Sequence, residues 1–347
     1  MSTANKRPGR TKSQPKLSRT HKPDELSLEE WQRTLRRQFG EQQLYVLRNN
    51  GDHPLFSEFS LTNPASGKTY KIAIRGDAPG ENYCSCPDFS INNLGTCKHL
   101  EFALSKLRKK SGAKKAFKTV FTPPFSEVFL HYGLKREIRF KPGKDAPAEL
   151  LSAAKKFFDA RGRMKQERLL DFHQFLNDAQ RLAGHEVRCY DDVMACVAEH
   201  QDAEHRRGIM AKAFSRGIDS PLFKNLLKTD LYPYQKEGAL FASQAGRCLI
   251  GDDMGLGKTI QALAASELLH KLFDIRKTLI VTPTSLKHQW RTEIEKFTNK
   301  TVEVVEGPNA ERAGLYRSNT FYKVINYELV HRDLSHIKAW APDLIIL

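Results

Sequence analysis

Gly251-Asp252-Asp253-Met254-Gly255-Leu256-Gly257-Lys258-Thr259 separates a short apolar run, Arg247 to Gly251, from an amphipathic stretch, Thr259 to Lys271. A glycine-rich turn between a strand and a helix aims backbone N–H groups and the positive helix end at one spot, where a phosphate can sit. Gly255 and Gly257 let the backbone approach the anion, Lys258 would reach β and γ phosphates, and the Thr259 hydroxyl would ligate Mg²⁺. The register departs from the usual G-x-x-x-x-G-K-T, because Asp252 holds the first glycine position and Gly251 lies one residue early. A surface lysine in a glycine-rich turn is the plain alternative.

Around this loop, helix and strand patterns alternate. Arg247 to Gly251, Leu279 to Thr282, Phe321 to Tyr327 and Asp343 to Leu347 read as strands, and Thr259 to Lys271 and Leu286 to Phe297 as helices. Such alternation implies a parallel sheet covered by helices. Cys248 falls beside an apolar strand and is expected in the core.

The 347 residues allow two or three domains. The formal charge of +16 is concentrated: Met1 to Lys22 holds seven Lys/Arg and no acid, and Lys106 to Lys118 seven more with none. Such runs attract polyanions, a nucleic-acid backbone first among them, although a solvated tail and a linker would carry the same charges. No run of about 18 apolar residues is present, and the basic start lacks a secretion signal's apolar segment, so an intracellular protein without a membrane span is expected.

Residues 1–25 are read as a disordered basic tail. Ser27 with Glu30 makes a capping box, opening a helix that aligns Trp31, Leu35 and Phe39. Leu55 to Leu61 and Tyr70 to Ile74 form a hairpin, and Leu100, Ala103, Leu104 and Leu107 mark a short amphipathic helix. Between them lie Cys84-x-Cys86, ten residues, and Cys97-x-His99. Three thiolates and an imidazole suit a closed tetrahedral Zn²⁺ site, structural rather than catalytic. Residues 111–225 are basic and then mixed in charge, with helical patterns near Leu150 to Phe158 and Glu167 to Leu182. Cys189 and Cys196 there are expected as buried thiols.

Two resemblances follow from these motifs. Cys84, Cys86, Cys97 and His99, set after a hairpin and before a helix, resemble the SWIM zinc finger over about residues 50–108, which implies a module that binds DNA or protein. Asp252-Asp-Met-Gly-Leu-Gly-Lys-Thr-Ile-Gln261 resembles the first motif of the Swi/Snf-type helicase-like ATPases of superfamily two, where Glu usually stands at the position of Asp253. Leu231 to Gly238, Leu279 to Trp290 and Val324 to Glu328 resemble three more of that family's motifs. The resemblance implies ATP with Mg²⁺ as cofactor, held by Gln235 (on the adenine edge), Asp252, Gly255, Leu256, Gly257, Lys258 and Thr259. It also implies a duplex DNA backbone as partner, touched by the loop after the second-motif strand, with Trp290 either packing or meeting DNA.

The expected architecture is therefore multidomain: a small ββα zinc module (26–110), a mainly helical linker (111–225), and an α/β RecA-like lobe with a parallel sheet (226–347). In the resembled family Asp343-Leu-Ile-Ile-Leu347 leads into an acidic catalytic box. The chain thus reads as an N-terminal fragment without the hydrolytic carboxylates, inactive alone, with a gap in its sheet and a poorly stable C-terminal region. The alternative is a non-enzymatic, zinc-dependent nucleic-acid or protein-binding module with a remnant nucleotide-binding lobe.

Overall fold

The computed structural model describes residues 17–182 and 184–347. The chain divides into two compact units, with the boundary between Ala198 and Glu199. Most of the basic stretch read as a tail lies outside the described residues. From Leu17 onward it touches the first helix, with the Leu17 N–H donating to Gln38 Oε1 at 2.8 Å and the Trp31 indole donating to the Ser18 carbonyl at 3.1 Å.

In the first unit, α1 (Leu28–Glu41) starts at the expected capping box: Glu30 N–H donates to Ser27 Oγ at 3.2 Å, and Ser27 N–H to Glu30 Oε2 at 3.0 Å. Strands β1 (Val46–Asn49), β2 (Glu58–Thr62), β3 (Thr69–Ala73) and β4 (Tyr83–Cys84) form an antiparallel sheet in the order β1-β2-β3-β4. Helices α2 (Pro87–Ile91), α3 (Lys98–Leu107) and α4 (Ala113–Ala116) follow. The helix α1 crosses α3 closely at Gly40, where an added Cβ would lie 2.5 Å from the Lys98 carbonyl oxygen.

The segment expected as a helical linker instead contributes a second sheet. β5 (Ser126–His131) pairs antiparallel with β6 (Glu137–Lys141) and parallel with β7 (Val187–Cys189). α5 (Ala148–Phe157) and α6 (Phe172–Gln180) match the two helical patterns. Leu61, Phe102, Val128, Phe140, Phe172 and Phe175 belong to one continuous core, so residues up to Ala198 fold together. Cys189 and Cys196 are half-buried against this core. Helix α7 (Asp191–Ala213) spans the boundary in sequence, and Met210, Phe214 and Phe223 pack in the second unit's core.

After the end of α7, that unit contains α8 (Pro233–Ala245) and α9 (Lys258–Phe273) and continues through β8 (Thr278–Thr282), α10 (Lys287–Phe297), β9 (Val302–Val304), α11 (Asn309–Leu315), β10 (Tyr322–Asn326), α12 (Tyr327–Arg332), α13 (Leu334–Trp340) and β11 (Leu344–Ile346). The sheet is parallel throughout, as expected, in the order β11-β8-β10-β9. All five residues of β8 and of β10 are buried, because helices cover both faces. Alternation assigns each residue to a face: Ile280 and Val324 join a core with Leu263, Leu268 and Ile294, whereas Leu279, Val281 and Ile325 join Tyr316, Ile337 and Trp340.

Arg247 to Gly251 is not a strand. No described strand pairs with it, and an extended segment without a ladder partner gains no sheet structure. Leu249 is accordingly 87% exposed. Cys248, expected in the core, is exposed for the same reason.

Buried polar groups pin the second unit. Lys323, fully buried on β10, donates to Glu303 Oε2 at 2.8 Å, to the Leu315 carbonyl and to Ser318 Oγ, each at 2.6 Å. Arg312 grips Asp333 through two bonds of 2.8 and 2.7 Å. Glu267 is less well served: its Oε1 has no hydrogen-bond partner among the described residues, Lys300 stands 3.9 Å from Oε2, and burial raises its pKa. A raised folded pKa means that the charged form weakens the fold, a penalty present at neutral pH and relieved as pH falls through that pKa. Glu267→Gln should therefore raise the unfolding midpoint at pH 7. The gain should vanish near about pH 4, where unfolded carboxyls also protonate; a gain independent of pH, followed by circular dichroism, would contradict this.

Candidate functional site

The phosphate loop is shaped by its glycines. Gly255 (φ +89°) and Gly257 (φ +75°) occupy the left-handed region, which turns the chain into the first residue of α9. Beside Gly257 there is little room, since an added Cβ would stand 2.7 Å from Gln235 Nε2. Lys258 curls back on its own loop, its ammonium donating to the carbonyls of Asp252 at 2.8 Å and Asp253 at 3.0 Å. Thr259 follows in the first turn of α9, half-buried.

Gln235, buried in α8, stands against the same loop. Its Oε1 accepts the Tyr232 N–H at 3.1 Å, while Nε2 lies 3.4 Å from the Leu256 carbonyl and 3.4 Å from the Tyr234 hydroxyl. The Tyr232 and Tyr234 rings stack within 5° of parallel at 5.9 Å. A cleft of about 500 Å³, lined by Tyr234, Gly238, Phe241, Leu249, Asp252 and Leu256, opens alongside. An aromatic, partly apolar slot ending at a glycine-rich loop and a helix N-terminus fits a base at one end and phosphates at the other. Of the seven expected residues, Asp252 and Leu256 line this cleft, Gln235 bonds to Leu256, Lys258 bonds to Asp252, and Gly255, Gly257 and Thr259 belong to the same loop and helix start.

One further residue at this loop, the last of the first motif, is not among those expected from the sequence to hold the cofactor. Gln261, 1% exposed, donates from Nε2 to Asp252 Oδ2 at 2.6 Å. Its Oε1 occupies the space a Cβ at Gly238 would need, 1.8 Å from the ideal position. Gln261 therefore ties the departing residue of the loop, Asp252, to the helix that carries Gln235. A polar residue one turn beyond Lys258 on an otherwise apolar helix face was the available signal.

The strand ends point the same way. The Asn326 amide donates to Glu328 Oε2 at 2.5 Å; that bond, with a lesser one from Thr284, holds the Glu328 carboxyl below its ordinary range. The loops following β8 and β10 therefore meet at the carboxyl end of the parallel sheet, where open α/β sheets bind ligands. Trp290 is half-buried and packs against the core.

In the first unit, a strand end and two helix starts bring four ligand types together. Cys84 ends β4, Cys86 caps α2 and takes the Phe89 N–H at 3.4 Å, Cys97 precedes α3, and His99 lies in its first turn. Their ligand atoms all lie within 4.8 Å of one another, and each residue is buried. Tetrahedral Zn–S bonds of about 2.3 Å place donors roughly 3.7 Å apart, so shifts of about 1 Å would close the set on an ion. Hydrogen bonds from Cys84 and Cys97 lower the pKa of the Cys86 thiol. Tyr70 stacks on the His99 ring at 4.4 Å and fixes its plane.

A family model described as the SNF2-related domain matches residues 94–347. The chain belongs to the SNF2-related family. Among its relatives are the DNA annealing helicase and endonuclease ZRANB3 of Mus musculus (46% identical over 72 residues, 20% of this chain and 6% of that protein) and the DNA repair and recombination protein RAD54B of Homo sapiens (34% over 134 residues, 33% and 15%). A SWI/SNF-related regulator of chromatin, subfamily A-like protein 1, of Xenopus laevis is 42% identical over 135 residues, 37% of this chain and 13% of that protein. The chain thus spans between 6% and 15% of the length of these relatives. The Sulfolobus solfataricus SWI2/SNF2 ATPase core in complex with dsDNA overlaps 31% of this SNF2-related chain and 24% of its own, at 27% identity and a TM-score of 0.29. Among the described residues, no helix is long and apolar enough to cross a membrane.

Gly238→Ala should displace Gln261 and release Asp252. We expect nucleotide affinity, measured by fluorescence of a labelled ATP, to fall about tenfold, roughly 1.4 kcal/mol, with Gln261→Ala falling similarly and the double variant no further. Additive losses would show that the two residues act separately.

Proposed function

We propose that residues 226–347 bind ATP with Mg²⁺ and that the chain works on DNA as part of an ATP-dependent translocase or remodelling machine of the Swi/Snf type. The observation that carries this reading is that Gln235 bonds to the Leu256 carbonyl of the glycine-rich loop that leads into α9, with a cleft lined by Asp252 and Leu256 of the same loop alongside. Gln235 would read the adenine edge, the loop N–H groups and Lys258 would hold the phosphates, and Thr259 would place its hydroxyl on Mg²⁺, which when bound neutralises charge between the phosphates. The relatives' names, an annealing helicase and a repair and recombination protein among them, support DNA as the partner and hence an intracellular site of action.

In the first unit, Cys84, Cys86, Cys97 and His99 hold a structural Zn²⁺ of the SWIM type, and the module binds DNA or a protein partner. The support is that four buried ligand atoms lie within 4.8 Å of one another. No open position is left for water, so the ion's contribution is to the fold.

Lys258→Ala should abolish detectable binding of labelled ATP while leaving the circular dichroism spectrum unchanged, because among the described residues the lysine bonds only to loop carbonyls. Unaltered ATP affinity would remove the loop from the reading. Atomic absorption should find one Zn²⁺ per chain, and chelation should unfold the first unit, seen as loss of its melting transition while ATP binding survives. A chain free of zinc and equally stable with chelator would refute the metal.

A further inference from the structure

A large cavity of the first unit has no part in either site above. It encloses about 650 Å³ beside the buried Arg75–Glu127 pair. Its walls are flat and aromatic. On one side His53 and Phe121 lie 4.5 Å apart, and Phe56 stacks on Phe121 at 4.7 Å. Also lining it are Tyr190 and Arg188, whose guanidinium lies 3.6 Å over the Phe125 ring. His53 Nδ1 accepts the N–H groups of Leu55 at 3.1 Å and Phe56 at 2.9 Å, so its ring is neutral and fixed in plane.

The floor carries matched polar groups. Glu127 Oε2 takes bonds from Arg75 Nε at 2.8 Å and from the Tyr190 hydroxyl at 3.2 Å, and Arg75 Nη1 donates to the Glu81 carbonyl at 2.9 Å. The wall charges are paired, Arg75 with Glu127 and Arg188 with Glu186, so the interior is close to neutral. The lip is polarised. Lys141 and Lys144 stand at the end of β6, whereas Asp52 and Glu58 stand on the β1–β2 side. From the lip a cationic ledge leads away: Lys110 donates to the Pro54 carbonyl at 3.0 Å, and Lys106, Lys109, Lys114, Lys115 and Lys118 are exposed with no acid among them.

We propose that this cleft takes unpaired bases of a single-stranded nucleic acid, stacked between the His53/Phe121 and Phe125/Arg188 surfaces, with the phosphates following Lys141, Lys144 and the lysine ledge. Flat aromatic and guanidinium faces accept any base, and a basic track outside holds the backbone. Neither feature is needed for a duplex, whose bases are already stacked. The inference is independent of the nucleotide loop, because every residue it uses precedes Ala198.

The test uses the full 347-residue protein and fluorescence anisotropy with three probes: a labelled 15-nucleotide single strand of mixed sequence, the same strand with abasic sites at alternate positions, and the blunt 15-base-pair duplex. The abasic strand, which keeps every phosphate, should bind at least tenfold more weakly than the intact one, since each stacked base contributes a factor of about 5 to 150. Phe121→Leu should weaken the intact strand by about tenfold and the duplex by less than twofold. The exposed change Lys144→Gln, combined with Lys141→Gln, should lower the slope of log K against log salt for the strand by about 1.4. Equal affinity for intact and abasic strands overturns the proposal without reliance on any variant. So does strand binding that ignores Phe121→Leu, the result expected if the cleft serves a peptide.

Discussion

The parallel ladder between β8 and β10 is the constraint on which the second unit depends. Both strands are buried along their whole length, so each residue must satisfy one face or the other, and a one-residue slip would exchange the two cores. That intolerance fixes where the strands end, and therefore where the loops carrying Thr284 and Glu328 emerge. Lys323 belongs to the same constraint. A buried ammonium is held by Glu303, its cross-strand partner on β9, so the edge strand is locked in register by charge as well as by backbone bonds.

The first unit is organised differently. It joins two small sheets through a common core, with ion pairs tying its peripheral pieces: Arg36 to Asp88 brings α1 to α2, and Arg75 to Glu127 joins the loop after β3 to β5. The second pair is almost wholly buried, and removing either partner alone would strand a charge in the interior. The Cys84 to His99 cluster closes the same structure from the other end. Helix α1 reaches it through Arg33, whose Nε donates to the Leu94 carbonyl at 2.9 Å.

Features set by near neighbours along the chain are legible in the amino-acid sequence itself. Ser27 and Glu30 cap their helix as the motif implies, the four Cys/His ligands meet because their spacing leaves few other geometries, and the glycines of the phosphate loop take the backbone angles for which glycine is needed. What the sequence hid depends on distant partners. Arg247 to Gly251 has strand composition, but no described strand pairs with it, and Cys248 is exposed. Ser126 to His131 shows no alternation because it is buried on both faces, and its partner β7 is three residues long, which concealed a sheet inside an apparent linker. Gln261 was visible as a residue, but its role required three positions, 238, 252 and 261, to be seen together.

The posture of Lys258 has a consequence for selectivity. Its ammonium has two carbonyl acceptors from Asp252 and Asp253, so the loop's cation is already solvated by its own chain. A chloride or a lone carboxylate offers too few acceptors in the right directions to displace both carbonyls, whereas adjoining phosphoryl groups offer several in a row. For the nucleotide proposed above, Lys258 would exchange two carbonyl bonds for bonds to phosphoryl oxygens, so part of the binding energy would go to releasing the loop's own carbonyls.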